Sequence, residues 1–136
     1  MASVYLDACC FIYLVEGEAS WRSAVEARLR GLDPTTRIVT SQLSRLECRM
    51  KPMRDGETAL LTRYDALFAA SRVGVLDLTA SVVDRATHLR AKYAFKAPDA
   101  LHLATAIDGG SVAFWTGDAA LARCTEIPVV VLSGTP

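Results

Sequence analysis

The sequence predicts an α/β protein: a three-layer α/β/α sandwich with a central, mainly parallel five-stranded sheet. Two observations carry this. Short apolar or β-branched runs alternate with stretches of helical periodicity along the chain. Strands separated by helices imply a parallel sheet covered on both faces. A third observation sets the domain count. The 136 residues are 51% hydrophobic and contain no repeat, low-complexity tract or linker, so residues 1–136 read as a single domain.

The elements follow in order. Ser3 to Leu6 reads as the first strand, and a short apolar helix runs from about Cys9 to Val15, stopped at Glu16-Gly17. Ala19 to Leu32 carries Trp21, Val25, Leu29 and Leu32 at helical spacing. Thr36 to Thr40 is the second strand. Ser41 then caps a helix whose apolar stripe is Leu43, Leu46 and Met50, ended or bent by Pro52. A further helix spans roughly 55–71, and Gly74 to Leu78 forms the third strand. Thr79 or Ser81 caps a helix reaching about Phe95. Pro98 opens the next helix, which stops at Gly109-Gly110. Ser111 to Thr116, a short helix from Asp118 to Arg123, and a last strand from Val129 to Leu132 complete the set.

Composition narrows the function classes. No apolar run is long enough to span a membrane, and the N-terminus lacks the pattern of a secretory signal. Cys9, Cys10, Cys48 and Cys124 form no C-x-x-C pair and only two His accompany them, which argues against a zinc site. The thiols read as small buried hydrophobes in a reducing, cytoplasmic compartment. The formal net charge is zero, which argues against indiscriminate nucleic-acid binding. Yet from Arg22 to Arg54 there are eight basic residues against three acidic ones. Arg85, Arg90, Lys92 and Lys96 form a second cluster. Such faces either track phosphates or are ordinary solvated helix surface.

Four acids stand where acids should be rare. Asp7 ends the apolar run Val4-Tyr5-Leu6. Glu47 shares a helical face with Leu43 and Met50, while Arg45 and Arg49 lie two positions away and do not face it. Asp99 opens an apolar helix, and Asp118 follows the fourth strand. An ionised carboxylate away from water is costly unless paired or bound to a metal. Each has an ordinary alternative: Asp7 and Asp118 as helix caps, Asp99 as a first-turn charge favoured by the helix dipole. Ligands of open parallel sheets bind beyond the carboxyl ends of the strands. Asp7, Glu47 and Asp118 all fall at that edge.

These segments resemble the PIN-domain nucleases, in particular VapC-type ribonuclease toxins of toxin–antitoxin pairs. The matching pieces are Val4-Tyr5-Leu6-Asp7-Ala8-Cys9, Val39-Thr40-Ser41 through Leu46-Glu47, Ala97-Pro98-Asp99 through Ala106, and Phe114-Trp115-Thr116-Gly117-Asp118-Ala119-Ala120-Leu121. The resemblance implies that Asp7, Glu47, Asp99 and Asp118 bind Mg²⁺ or Mn²⁺ and support RNA cleavage. It implies that Thr116 holds the first acid in place. Asp7 and Asp99 are then the expected direct ligands, with Glu47 and Asp118 completing the cage. Gly117 departs from the family, which often has Asn there. His102 lies one turn after Asp99 and is read as packed or solvated rather than as a base.

The same resemblance implies RNA, single-stranded or in a loop, as substrate. It also implies a VapB-like antitoxin partner and a homodimer. Phe11, Leu14 and Trp21 are candidates for the antitoxin groove or for plain core. The competing reading is a catalytically inactive PIN-like module that binds metal or RNA. Other acidic-pocket enzymes fit poorly. A receiver domain needs an acidic pair after its first strand, a haloacid-dehalogenase-like phosphatase needs Asp-x-Asp, and a cysteine phosphatase needs C-x₅-R. Position 9 is Cys, and positions 15 and 16 are Val and Glu.

Overall fold

A computed structural model describes residues 1–134. Strand β1 is Ser3–Leu6, followed by α1 (Ala8–Glu16) and α2 (Ala19–Arg30). Strand β2 (Arg37–Ser41) leads to α3 (Gln42–Arg54) and α4 (Thr58–Ala69), and β3 (Val73–Leu76) to α5 (Ala80–Tyr93) and α6 (Ala97–Asp108). Strand β4 (Ala113–Thr116), a 3-10 helix (Ala119–Arg123) and β5 (Val129–Val131) finish the chain. The sheet order is β3-β2-β1-β4-β5, and every pairing is parallel, so the mainly parallel sheet of the sequence reading is wholly so.

Alternation along the strands divides the core in two. Tyr5, Val39 and Phe114 point to a layer closed by α5 and α6, with Leu89, Leu103 and Ala104. Val4, Leu6, Ile38 and Trp115 point to the other, with Phe11, Val25, Cys48 and Tyr64. Side chains on a strand point to opposite faces in turn, so one strand can serve both layers. The stacked rings of Tyr5 and Phe114, 5.2 Å apart, bind neighbouring strands on the first face.

Helix α3 departs from the expected stripe. Leu46 and Met50 are 62% and 52% exposed, whereas Ser44, Cys48 and Pro52 are buried. Those three stand four residues apart, so small and compact side chains make one line down the helix. They bring α3 close to the sheet, where the Thr40 hydroxyl donates to the Leu6 carbonyl at 2.7 Å and lies 2.7 Å from Ser44 Oγ. The helix therefore turns its larger apolar residues outward. Pro52 does not end the helix: α3 runs two residues past it. The Thr79 hydroxyl accepts from Val82 N–H and is the cap of α5, while Ser81 Oγ donates to Asp108. Among the described residues, no helix is long and apolar enough to cross a membrane.

Candidate active site

Strands β1 and β4 are neighbours, with Leu6 in register with Trp115, so the residues that leave their carboxyl ends meet. Asp7 steps off β1 and Asp118 off the loop after β4. Glu47 comes from α3 and Asp99 from the first turn of α6. All four line one recess of about 430 Å³, together with Cys9, Tyr13 and His102. The topology thus gathers acids that have no local link in sequence.

Each acid sits in a distinct environment. Asp7 is 7% exposed and occupies the N-cap position of α1, yet its side chain makes no capping hydrogen bond. Its Oδ1 accepts from the thiols of Cys9 and Cys10 at 2.7 and 3.6 Å. Asp118 does cap, accepting from Ala120 N–H at 2.9 Å. Asp99 is partly buried, and burial first, then the Asp118 charge, pushes its carboxyl above the usual range. Asp7 and Glu47 add to that push, and His102 offsets part of it.

Glu47 is held. Its Oε1 lies 2.5 Å from His102 Nε2, which must carry the proton because a carboxylate only accepts. On the far side, the Tyr5 hydroxyl lies 2.7 Å from His102 Nδ1 and 2.9 Å from Ser41 Oγ. His102 is 4% exposed, so the packed reading holds, with an added duty that sequence spacing did not reveal. The only hint was a pair of hydroxyl-bearing residues, Tyr5 inside β1 and Ser41 at the end of β2.

Thr116 does not reach the first acid as the resemblance implied. Its buried hydroxyl accepts from Asp118 N–H at 3.0 Å and shapes the loop of the last acid instead. A hydroxyl two residues before a backbone N–H can satisfy that donor locally, and Thr116 does so here. The missing Asn at position 117 has a steric cause. A Cβ on Gly117 would run into the Tyr13 hydroxyl and ring, and that ring is held by stacking on Trp21 at 4.5 Å. Gly117→Ala is therefore expected to destabilise the fold by about 1–3 kcal/mol, measured by urea denaturation. Adding Tyr13→Ala should recover part of that loss; an unchanged penalty in the double variant would discard the clash.

No Lys or Arg lines the recess. Among the described residues, none forms an ion pair with Asp7, Asp99 or Asp118, and Glu47 has only His102. Many basic side chains are committed elsewhere, such as Arg49 to Asp65 at 2.9 Å and Lys92 to Glu126 at 3.7 Å. Carboxylates gathered without a Lys or Arg partner, one of them 7% exposed, suit a hard divalent ion, which prefers oxygen donors. The donor set therefore fits Mg²⁺ or Mn²⁺.

Without an ion, the raised Asp99 carboxyl couples stability to pH. The folded state takes up this proton at higher pH than the unfolded state. The resulting stability is present at acid pH and lost as pH rises through the folded value. In chelator, the melting temperature of Asp99→Asn minus that of the wild type should be largest near neutrality and shrink on acidification. A gap that widened on acidification would contradict it.

A parallel sandwich with a carboxylate recess at the carboxyl edge of its sheet defines the class: an α/β protein whose acids gather where such sheets bind ligands. The chain belongs to the PIN domain family, whose model matches residues 4–127. Solved structures agree in fold. The VapBC2 complex of Rickettsia felis, bound to a promoter DNA fragment, aligns with a TM-score of 0.80 at 15% identity, covering 96% of this chain and 99% of that one. A toxin–antitoxin complex from Klebsiella pneumoniae aligns with a TM-score of 0.70 at 23% identity, covering 94% and 96%. Mycobacterium tuberculosis VapC20, a Sarcin-Ricin loop cleaving toxin, aligns with a TM-score of 0.73 at 15% identity, covering 88% and 93%. No curated protein matches the chain at a significant level.

Proposed function

We propose that this protein is a metal-dependent endoribonuclease that hydrolyses RNA phosphodiester bonds, acting as the toxin of a VapBC-type pair. One observation carries the reading: four carboxylates converge, without a Lys or Arg among the lining residues, in a PIN domain. Such a recess repels phosphate until a cation enters. Mg²⁺ or Mn²⁺ bound there would supply Lewis acidity toward a phosphoryl oxygen and acidify an attacking water.

The roles divide by environment. Asp7 and Asp99 would hold the ion. Glu47, with Oε1 engaged by His102, has Oε2 left to bind or to take the proton of the attacking water. Asp118, anchored by its cap bond, closes the ring of charge. A single-stranded or looped RNA suits a recess at a sheet edge, because its backbone can bend in.

The structural neighbours include toxin–antitoxin complexes, which supports an antitoxin partner. A cytoplasmic homodimer belongs to the same reading. Of the three apolar candidates for the antitoxin groove, one lies in the core. Phe11 is 1% exposed and belongs to the core, leaving half-buried Leu14 and Trp21 as candidates near it. The exposed Leu46, Met50 and Met53 of α3 offer a further apolar surface.

The test incubates purified protein with mixed RNAs in Mg²⁺ or Mn²⁺, against chelator and against Asp99→Asn. Cleavage that needs metal and the intact acid is expected. Cleavage persisting in Asp99→Asn marks a contaminant. Metal binding with no cleavage of any RNA would favour an inactive interaction module.

A further inference from the structure

The recess contains sulfur that hard-metal chemistry does not use. Asp7 Oδ1, Cys9 Sγ and Cys10 Sγ all lie within 4.8 Å of one another, and among the described residues they are the one three-donor group so closely set. We propose that Asp7, Cys9 and Cys10 form a site for a thiophilic divalent cation, Zn²⁺ or Cd²⁺, at the floor of the carboxylate recess.

The geometry separates these thiols from packed, inert ones. Cys9 is on the first turn of α1 and is partly exposed to the recess. Its sulfur is fixed from two sides: Gly117 N–H donates to it at 3.1 Å, and its own S–H donates to Asp7 Oδ1 at 2.7 Å. Cys10 Sγ aims at the same oxygen from behind, at 3.6 Å, and also reaches the Trp115 carbonyl at 3.4 Å. Two sulfurs therefore point at one carboxylate oxygen that has no Lys or Arg partner among the described residues. Adjacent cysteines lack the spacing of a C-x-x-C pair, so only the turn from β1 into α1 makes them a ligand set.

A tetrahedral ion with bonds of about 2.1 Å to oxygen and about 2.3 Å to sulfur holds those atoms roughly 3.6 Å apart. Cys10 already stands at that separation from Asp7 Oδ1. Cys9 has to draw back by roughly 0.9 Å, within reach of a small side-chain rotation toward the open recess. On binding, two metal–sulfur bonds and one metal–oxygen bond form. Both thiol protons leave to water, and no electrons move. Water or a neighbouring carboxylate takes the fourth position. Because Asp7 is shared, a soft ion in this site excludes a hard one and holds the recess in an inactive form.

The site stands whether or not the recess cuts RNA, so its test does not depend on nuclease activity. Purified full-length protein is titrated with Cd²⁺, following the ultraviolet thiolate-to-metal absorption band, and with Co²⁺, whose visible bands report coordination. A stoichiometric band is expected with Cd²⁺ and none with Mg²⁺. Cys9→Ser should weaken binding at least tenfold and cut the band by about half, and Cys10→Ser should do the same. Asp7→Asn should weaken binding, while Cys124→Ser, at a free thiol that does not line the recess, should leave the band intact. Circular dichroism checks that each variant folds; Cys9→Ser, partly exposed, keeps the test open if Cys10→Ser does not. No band in the wild type, or a full band in Cys9→Ser, overturns the site. A band in a protein that cleaves no RNA overturns only the nuclease reading.

Discussion

Asp7→Asn should reduce RNA cleavage by roughly 1,000-fold, about 4 kcal/mol of transition-state stabilisation, and leave the fold intact. Asn preserves the volume and removes the charge. Asp7 sits at the N-cap of α1 but caps nothing with its side chain, so the helix has no hydrogen bond to lose there. Its Oδ1 has only two weak thiol donors, and it shares the recess with three other acids. In chelator, the variant should therefore melt at the wild-type temperature or above. That combination separates the ligand from the structural role. A variant that unfolds would restore the capping reading, and one that still cleaves would remove Asp7 from the chemistry.

The second large effect is expected at His102. It touches the proposed reaction only through Glu47, so it is a positioning residue. His102→Ala should lower cleavage by about 10–100-fold, the usual cost of losing a partner that orients a metal ligand. The loss should show as a greater requirement for Mg²⁺, because Glu47 regains rotational freedom. His102→Gln, which can still donate to the carboxylate, should recover part of it. Glu47→Gln supplies the decisive comparison. If His102 acts through Glu47, the two losses should not multiply in the double variant. Independent losses, or an unchanged metal requirement in His102→Ala, would reject the role. Tyr5→Phe removes both bonds of the Tyr5 hydroxyl, to His102 Nδ1 and to Ser41 Oγ, and should cost about 1–3 kcal/mol of stability.

Much of the architecture was legible before the coordinates. Apolar runs such as Val4-Tyr5-Leu6 and Phe114-Trp115 gave both the strands and their burial on two faces, since a parallel sheet covered by helices leaves little polar alternation to read. Element ends shifted by up to three residues, as at α4, where fraying helix ends carry little pattern. The rotation of α3 was misread. Periodicity favours the large apolar residues Leu46 and Met50, whereas the packed face belongs to Ser44, Cys48 and Pro52. Close approach rewards small side chains, and hydrophobicity alone does not weigh that.

Sequence alone determined the layered α/β order and the unusual acids, because burial pattern and chain order are local properties. It could name Asp7, Glu47, Asp99 and Asp118 as outliers, but nothing along the chain says how far apart they stand. The tertiary structure decided that all four line one recess, that His102 braces Glu47, and that Cys9 and Cys10 turn toward Asp7. It also turned Thr116 toward Asp118 rather than toward Asp7. The reason is geometric: hydrogen bonds and charge coupling act over a few ångströms, and only strand register and helix packing bring residues distant in sequence within that range.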